Sequence, residues 1–538
     1  MKKITVTLLL SLLIVLLFGG FESPFKNTEI DEKDNTRARM MLPVESSWVD
    51  SVFQSMSLKE RIGQLFMISA YSNKGPEHQQ YLVHLIKKYH IGGLIFFQGT
   101  PDKQVKLTNI YQNYSDVPLM IGMDAEWGLG MRLDSTISYP RQMALGAIQE
   151  DSLIYKMGSD IGEQLRRMGV HINFAPVVDV NNNPANPVIG SRSFGEGKRN
   201  VARKGIAYMN GLQDNRVLAV AKHFPGHGDT DTDSHKALPV IPHDSVRLDS
   251  LEMYPFKRLI DHGVGGVMTA HLHIPAFIDE PNRPSTLSKT LVTDILRRSL
   301  SFNGVVFTDA LNMHGVTNHF NPGEIEVEAL KAGNDVLLYP KDVPTAVSYI
   351  KTQIRRGNLS EQTINESCRR ILAFKYWAGL DDYSSSIRNN EPVVDSRNLN
   401  QDINKPEYKA LHQQLRASSM VMLKNREQIL PVKNLDQNRV AGLVLGNGEQ
   451  SPFLETMDRY ASITHFNKMN ARYQEKMLDE LSAFDIVIAG IVGTHQSTSN
   501  NYGIEPGYYR FLDSLSQRTS VVLVHFANPY GLSVMPNN

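Results

Sequence analysis

Eight short apolar runs, rich in Val, Ile or Phe, recur between residues 64 and 339 and alternate with amphipathic stretches. They read "QLFMISA" from 64, "GGLIFF" from 92, "PLMIGMD" from 118, "INFAPVVDV" from 172, "VLAVAKH" from 217, "GGVMTAH" from 265, "GVVFTDA" from 304 and "NDVLLY" from 334. Strands that are apolar along their whole length suit a parallel sheet covered on both faces. Intervening stretches such as "EHQQYLVHLIKKYH" and "DSLIYKMGSDIGEQLRRMG" carry apolar residues at helical spacing. Eight such units predict an α/β fold whose N-terminal part is a (β/α)8 barrel.

In a barrel of this kind the reactive residues gather at the C-terminal ends of the strands. Strand three ends at Asp124, strand five at Lys222 and His223, strand six at His271 and strand seven at Asp309. The loop after strand five completes "KHFPGHGDTDTDSH", residues 222–235, with three histidines and three aspartates. Pro225, Gly226 and Gly228 forbid a helix through it, so its polar residues are expected on a loop over the barrel mouth.

The loop fits metal binding poorly. Asp229, Asp231 and Asp233 have calcium-loop spacing, but Ser234 and Val240 stand where Gly and Glu are required. His223 and His227 are separated by Pro225 and Gly226 and share no helix face. No metal and no cofactor are expected. Proton transfer fits better: "DSH" puts Asp233 and His235 on one side of an extended segment, where the carboxylate can orient the imidazole. Asp309 ends an apolar strand. It either caps the next helix or faces the proton donor across the mouth, the layout of a retaining glycosidase.

These segments resemble glycoside hydrolase family 3, in its β-N-acetylglucosaminidase branch. The resemblance rests on "KHFPGHGDTDTDSH" and "TDALNM", with "MDAEWG", "NFAPVVDVN", "NPVIGSRSFG" and "AGNDVLL" in the same order, and runs from about Trp48 to Leu380. It implies that Asp309 is the nucleophile and that His235, paired with Asp233, is the acid/base. It also implies that Asp124, Arg132, Arg192, Lys222 and His223 hold the hydroxyls and acetamido group of a terminal β-linked GlcNAc. The implied partner is a glycan such as a peptidoglycan fragment, acted on by a monomer. Two positions depart from the family pattern. Trp127 stands where a glycine is common, and Leu129 where an arginine is expected. Trp127 either packs under the rim or offers an aromatic platform to the aglycone.

Composition limits the remaining readings. Lys and Arg number 56, as do Asp and Glu, so no basic excess points to nucleic acid. The N-terminus "MKKITVTLLLSLLIVLLFGGFES" has two lysines followed by an apolar run, the layout of a cleaved signal peptide or an uncleaved membrane anchor. Export to the periplasm or cell envelope is expected either way. The only cysteine, Cys368, excludes an intrachain disulfide and falls on the buried stripe of a helix, where it is expected to be inert.

The chain thus divides into a signal peptide or anchor (1–21), a linker (22–47), a (β/α)8 domain (48–385), a linker with a helix (386–415) and an α/β/α layered domain (416–538). The last contains "RVAGLVLG", "FDIVIAGIVG" and "SVVLVHFANP", and its sheet is expected to continue beyond Asn538. Two rival readings share the barrel: a sugar-binding protein without turnover, and a Schiff-base aldolase using Lys222.

Overall fold

The structure is a computed structural model and describes residues 42–232, 237–425, 428–446, 452–467, 474–495 and 499–534. All eight apolar runs form strands: β1 Phe66–Tyr71, β2 Gly93–Phe97, β3 Met120–Met123, β4 Ile172–Asn173, β5 Leu218–Phe224, β6 Gly266–Thr269, β7 Val305–Thr308 and β8 Leu337–Leu338. They pair in parallel in the order β7-β6-β5-β4-β3-β2-β1-β8. A parallel bridge between Phe307 and Val336 joins the two ends of that order and closes the ring.

β4 is far shorter than "INFAPVVDV" suggests. Pro176 has no N–H to give the ladder, so regular pairing stops at Asn173. The chain rejoins its neighbour through a bridge between Val177 and Lys222. This keeps Asp179, at the end of the run, over the mouth.

The helices between strands follow from their patterning. In Asp151–Arg167, Leu153, Ile154, Met157, Ile161 and Leu165 are buried on one stripe. The helices Pro76–Tyr89 and Pro101–Asn113 begin with proline, whose missing N–H costs nothing in a first turn. Inside the ring, Gly122 leaves room for Phe174; a Cβ there would approach its ring to 2.9 Å. Phe174 in turn meets Phe307 edge to face, with centroids 5.4 Å apart. Cys368 is fully buried in the helix Glu361–Trp377, on the stripe its spacing predicts, and burial pushes its thiol up to about 12.

A second parallel sheet follows, ordered β10-β9-β11-β12, from β9 Val440–Gly446, β10 Thr464–Asn467, β11 Ile486–Val492 and β12 Ser520–His525. It has its own apolar core, in which Leu443, Leu445, Val487 and Ile491 pack with Phe511 and Leu515 of the helix Pro506–Ser516. This layer meets the barrel at the loop after β4. The Tyr530 hydroxyl donates to the Asn181 carbonyl at 3.0 Å, and that of Tyr502 to the Pro184 carbonyl at 3.2 Å. Among the described residues no helix is long and apolar enough to cross a membrane.

Candidate active site

The strand ends bring a dense charged network to the barrel mouth. Lys222, near the end of β5, is buried, and its Nζ lies 2.9 Å from Asp124 Oδ1 and 2.9 Å from Glu126 Oε1. Arg132 donates to the other oxygen of Asp124 at 2.7 Å. Arg192 takes Glu126 in a two-pronged grip, Nε to Oε2 at 3.0 Å and Nη2 to Oε1 at 2.7 Å. Such a fork suits a planar carboxylate and fixes both partners. Burial pushes the carboxyls of Asp124 and Glu126 up, but the cations beside them win and hold both below their ordinary values. Burial likewise opposes the charge on Lys222 and Arg192, and the carboxylates reverse it, raising both.

That geometry weighs against the aldolase reading. A Schiff-base lysine must be neutral to attack a carbonyl. The two carboxylates beside Lys222 favour its protonated form, which suits a fixed cation rather than an amine nucleophile.

A second network organises the start of the loop after β5. Asp179 is fully buried and accepts from the backbone N–H of His223 at 3.1 Å and of His227 at 2.7 Å. Its Oδ2 also accepts a hydrogen bond from His223 Nδ1 at 2.8 Å. This turns His223 Nε2 toward Arg192 Nη2, 3.5 Å away, and so couples the two networks. His227 donates or accepts at Nδ1 with Thr230 Oγ1 at 2.9 Å, while its Nε2 is buried without a hydrogen-bond partner among the described residues. Burial, helped by the neighbouring His223, drives its pKa down to about 4, so the ring is uncharged at neutral pH.

Asp309 follows β7, four strands around the ring from Asp124. Its Oδ1 accepts the N–H of Ala310 at 2.7 Å, and its own N–H bonds to Thr269 O at 3.0 Å. The next helix begins at His314 with Met313 at its cap, so Asp309 is not a helix cap. Burial raises its carboxyl, but the fields of His271, His223 and Lys222, with the Ala310 N–H, outweigh burial and keep it ionised. Among the described residues neither Lys nor Arg forms an ion pair with it. A carboxylate kept charged by surrounding fields, without a direct counter-ion, keeps an oxygen for other chemistry. His271 is braced beside it, Nδ1 to Thr286 Oγ1 at 2.9 Å and Nε2 to Ala310 O at 3.1 Å.

The structure therefore brings together Asp124, Arg132, Arg192, Lys222, His223 and Asp309. Asp233 and His235 lie outside the described residues. Three side chains absent from the sequence expectations also line the mouth. Glu126 lies two residues beyond Asp124, the spacing that returns a side chain to the same face of an extended segment. Asp179 ends the fourth apolar run, where the rule applied to the other strands would have found it. Tyr339 follows β8 with a φ of 56°, unusual for a residue with a Cβ, and its hydroxyl bonds to that of Tyr71 at the end of β1. Beside them Phe97 stacks on Tyr71 and lies under the Arg132 guanidinium, 4.6 Å from its ring centre. No sequence pattern announces that pairing, which depends on ring closure. Of the two departures, Leu129 is buried in the core, and Trp127 is half-buried with the Arg141 guanidinium 4.0 Å from its ring centre.

Comparison with known proteins agrees with this geometry. The family described as "Glycosyl hydrolase family 3 N terminal domain" matches residues 57–374. The chain is 30% identical over 460 residues to beta-hexosaminidase A of Pseudoalteromonas piscicida, covering 79% of this chain and 75% of that protein. It is 33% identical over 307 residues to beta-hexosaminidase LpqI of Mycobacterium tuberculosis, covering 54% of this chain and 77% of that one. Among solved structures, a family 3 beta-N-acetylglucosaminidase from a Paenibacillus species superposes with a TM-score of 0.71 at 29% identity, over 90% of this chain and 92% of that one. Barrel, strand-end chemistry and sequence agree, and the chain belongs to glycosyl hydrolase family 3.

Proposed function

We propose that this enzyme is an exported, retaining exo-β-N-acetylglucosaminidase that removes terminal β-linked GlcNAc from peptidoglycan fragments or related glycans. The observation that carries the reading is the carboxylate of Asp309, held ionised and, among the described residues, without a Lys or Arg ion pair, on the opposite side of the ring from the Asp124–Lys222–Glu126–Arg192 network. The similarity to hexosaminidases supports the sugar class. Asp124, Arg132, Arg192, Lys222 and His223 offer fixed charges and donors to the sugar's hydroxyls and acetamido group.

In the first step an oxygen of Asp309 bonds to the anomeric carbon as the glycosidic C–O bond breaks. The departing oxygen takes its electron pair and a proton from His235, whose ring Asp233 steadies. In the second step a water gives a proton to His235 and bonds to the same carbon, releasing Asp309 and a sugar of unchanged configuration. General acid help of this kind is worth roughly 10²- to 10⁴-fold. Export is supported by the lysines at 2 and 3 and the apolar run after them. A panel of aryl β-glycosides tests the assignment. Cleavage of the N-acetylglucosaminide and not the glucoside is expected, and the reverse preference would overturn it.

A further inference from the structure

The loop that would carry the proton donor leaves the barrel at β5 and returns toward the loop after β6. Both limbs are held by backbone contacts. The outgoing limb is pinned where His227 N–H bonds to Asp179 and Asn186 donates to His227 O at 2.8 Å. Gly228 packs so closely on Val180 that a Cβ would come within 1.8 Å of its carbonyl oxygen. The returning limb pairs with His273: Ile241 N–H bonds to His273 O at 3.0 Å, and His273 N–H to Pro239 O at 2.8 Å.

A charged cluster joins the limbs. Asp229, on the outgoing side, holds His243, on the returning side, through Oδ2 and Nε2 at 2.7 Å. Arg247 reaches the same Asp229 oxygen at 3.2 Å and Glu252 Oε1 at 3.1 Å. Asp244 fixes the turn that presents Arg247 by accepting its backbone N–H at 2.8 Å. Glu252 is buried, with Oε2 unpartnered among the described residues, and it presses on the loop; a Cβ on Gly226 would meet its Cβ at 2.8 Å. One donor atom each from Asp229, His243 and Glu252 lies within 4.8 Å of the others, close enough to hold a cation. The Arg247 guanidinium already provides that cation to both carboxylates.

We infer that Asp229, His243, Arg247 and Glu252 form a clasp that sets the spacing of the two limbs and thereby positions the proton donor over the departing oxygen. Asp229 and His243 are positioning residues: they touch neither sugar nor reacting atoms. The inference rests on the reading of His235 as the acid. Its consequence is selective. A mispositioned acid slows departure of poor leaving groups, which need the proton, and spares good ones, which do not. A merely structural role would slow both alike.

The test uses the full-length enzyme and kcat/KM, which reports the steps through aglycone departure. Asp229→Asn and His243→Ala are assayed on β-N-acetylglucosaminides of 2,4-dinitrophenol and of 4-methoxyphenol. The expected losses are on the order of tenfold to a hundredfold for 4-methoxyphenyl and less than about twofold for dinitrophenyl, a fraction of the full acid contribution. His243→Gln, which keeps a donor for Asp229, is expected to recover most of the loss. Equal losses on both substrates, or none in either variant, would overturn the clasp. His235→Ala run beside them separates the two ideas. If it shows the leaving-group dependence and the clasp variants do not, only the clasp fails; if it shows none, the acid assignment fails with it.

Discussion

At Glu126 one carboxylate holds two cations, Lys222 and Arg192, with no exposure to solvent. Removing its charge leaves Arg192 without its forked partner and Lys222 with Asp124 alone. Breaking a buried pair in this way typically costs about 3–5 kcal/mol, because the remaining charge is stranded. Glu126→Gln is therefore expected to lower the unfolding free energy by that order and to raise KM more than it lowers kcat. Denaturant titration and steady-state kinetics read the two effects. Most of these side chains were legible as polar residues ending apolar strands: Asp124, Lys222, His223 and Asp309 all announce themselves that way. Arg132 and Arg192 lie on loops and were found only through the family resemblance, since no periodicity marks a residue that reaches the mouth from a loop. Glu126 lies beyond the strand's last residue, where the only signal is that an extended chain returns to the same face two positions on.

Among the elements, the helix Glu361–Trp377 carries an unexpected group. Lys375 is fully buried, and its Nζ bonds to Gln64 Oε1 at 2.6 Å. Burial drives its pKa from 10.5 down to about 7. A lysine lowered in the fold binds fewer protons than in the unfolded chain between those values, so it costs stability near pH 7 and the cost fades toward pH 10. Lys375→Met keeps the volume and removes the charge but leaves Gln64 Oε1 without its donor, so its effect at pH 7 is the relief of the buried charge less about 1–3 kcal/mol for that stranded acceptor. The relief should shrink on raising the pH, as followed by denaturation at both values. The sequence marked this helix correctly through its apolar spacing, yet gave no sign that a lysine would lie on the inner face. The fourth strand shows the opposite limit. Its apolar run was plain, and Pro176 inside it was the signal that regular pairing would be cut short.

At the scale of the whole molecule, two sets of buried groups weaken the fold in acid, opposed between pH 6 and 4 by Asp160, whose carboxyl burial raises to about 6. His227 is lowered from 6.5 to about 4 and His171 well below 6.5, both chiefly by burial. Between pH 6.5 and 4 the unfolded chain takes up protons that these buried rings refuse, so their share of stability falls as pH falls. For His227 the full effect is of order 3 kcal/mol. Asp124, Glu126, Asp179 and Asp309 are depressed in the fold, and their contribution is lost only below the ordinary carboxylate range. His227→Gln should therefore flatten the slope of unfolding free energy between pH 6.5 and 4 and leave the steeper loss below it. Unfolding curves across that range check the sign. The barrel itself was legible because eight buried parallel strands need near-continuous apolar runs, and few other sequences look like that. Pairing of β1 with β8 was implied by a closed barrel, but the Tyr71–Tyr339 contact it creates was not legible, since it joins side chains far apart in the chain.

The central claim is that Asp309 attacks the anomeric carbon. A 5-fluoro N-acetylglucosaminyl fluoride, which keeps the C2 acetamido group, slows release of a covalent sugar and lets it be located by peptide mapping and mass spectrometry. The account predicts one sugar per chain, attached to the peptide bearing Asp309, and no labelling of Asp309→Ala. Labelling of any other side chain, or labelling of Asp309→Ala at the same rate, would contradict it.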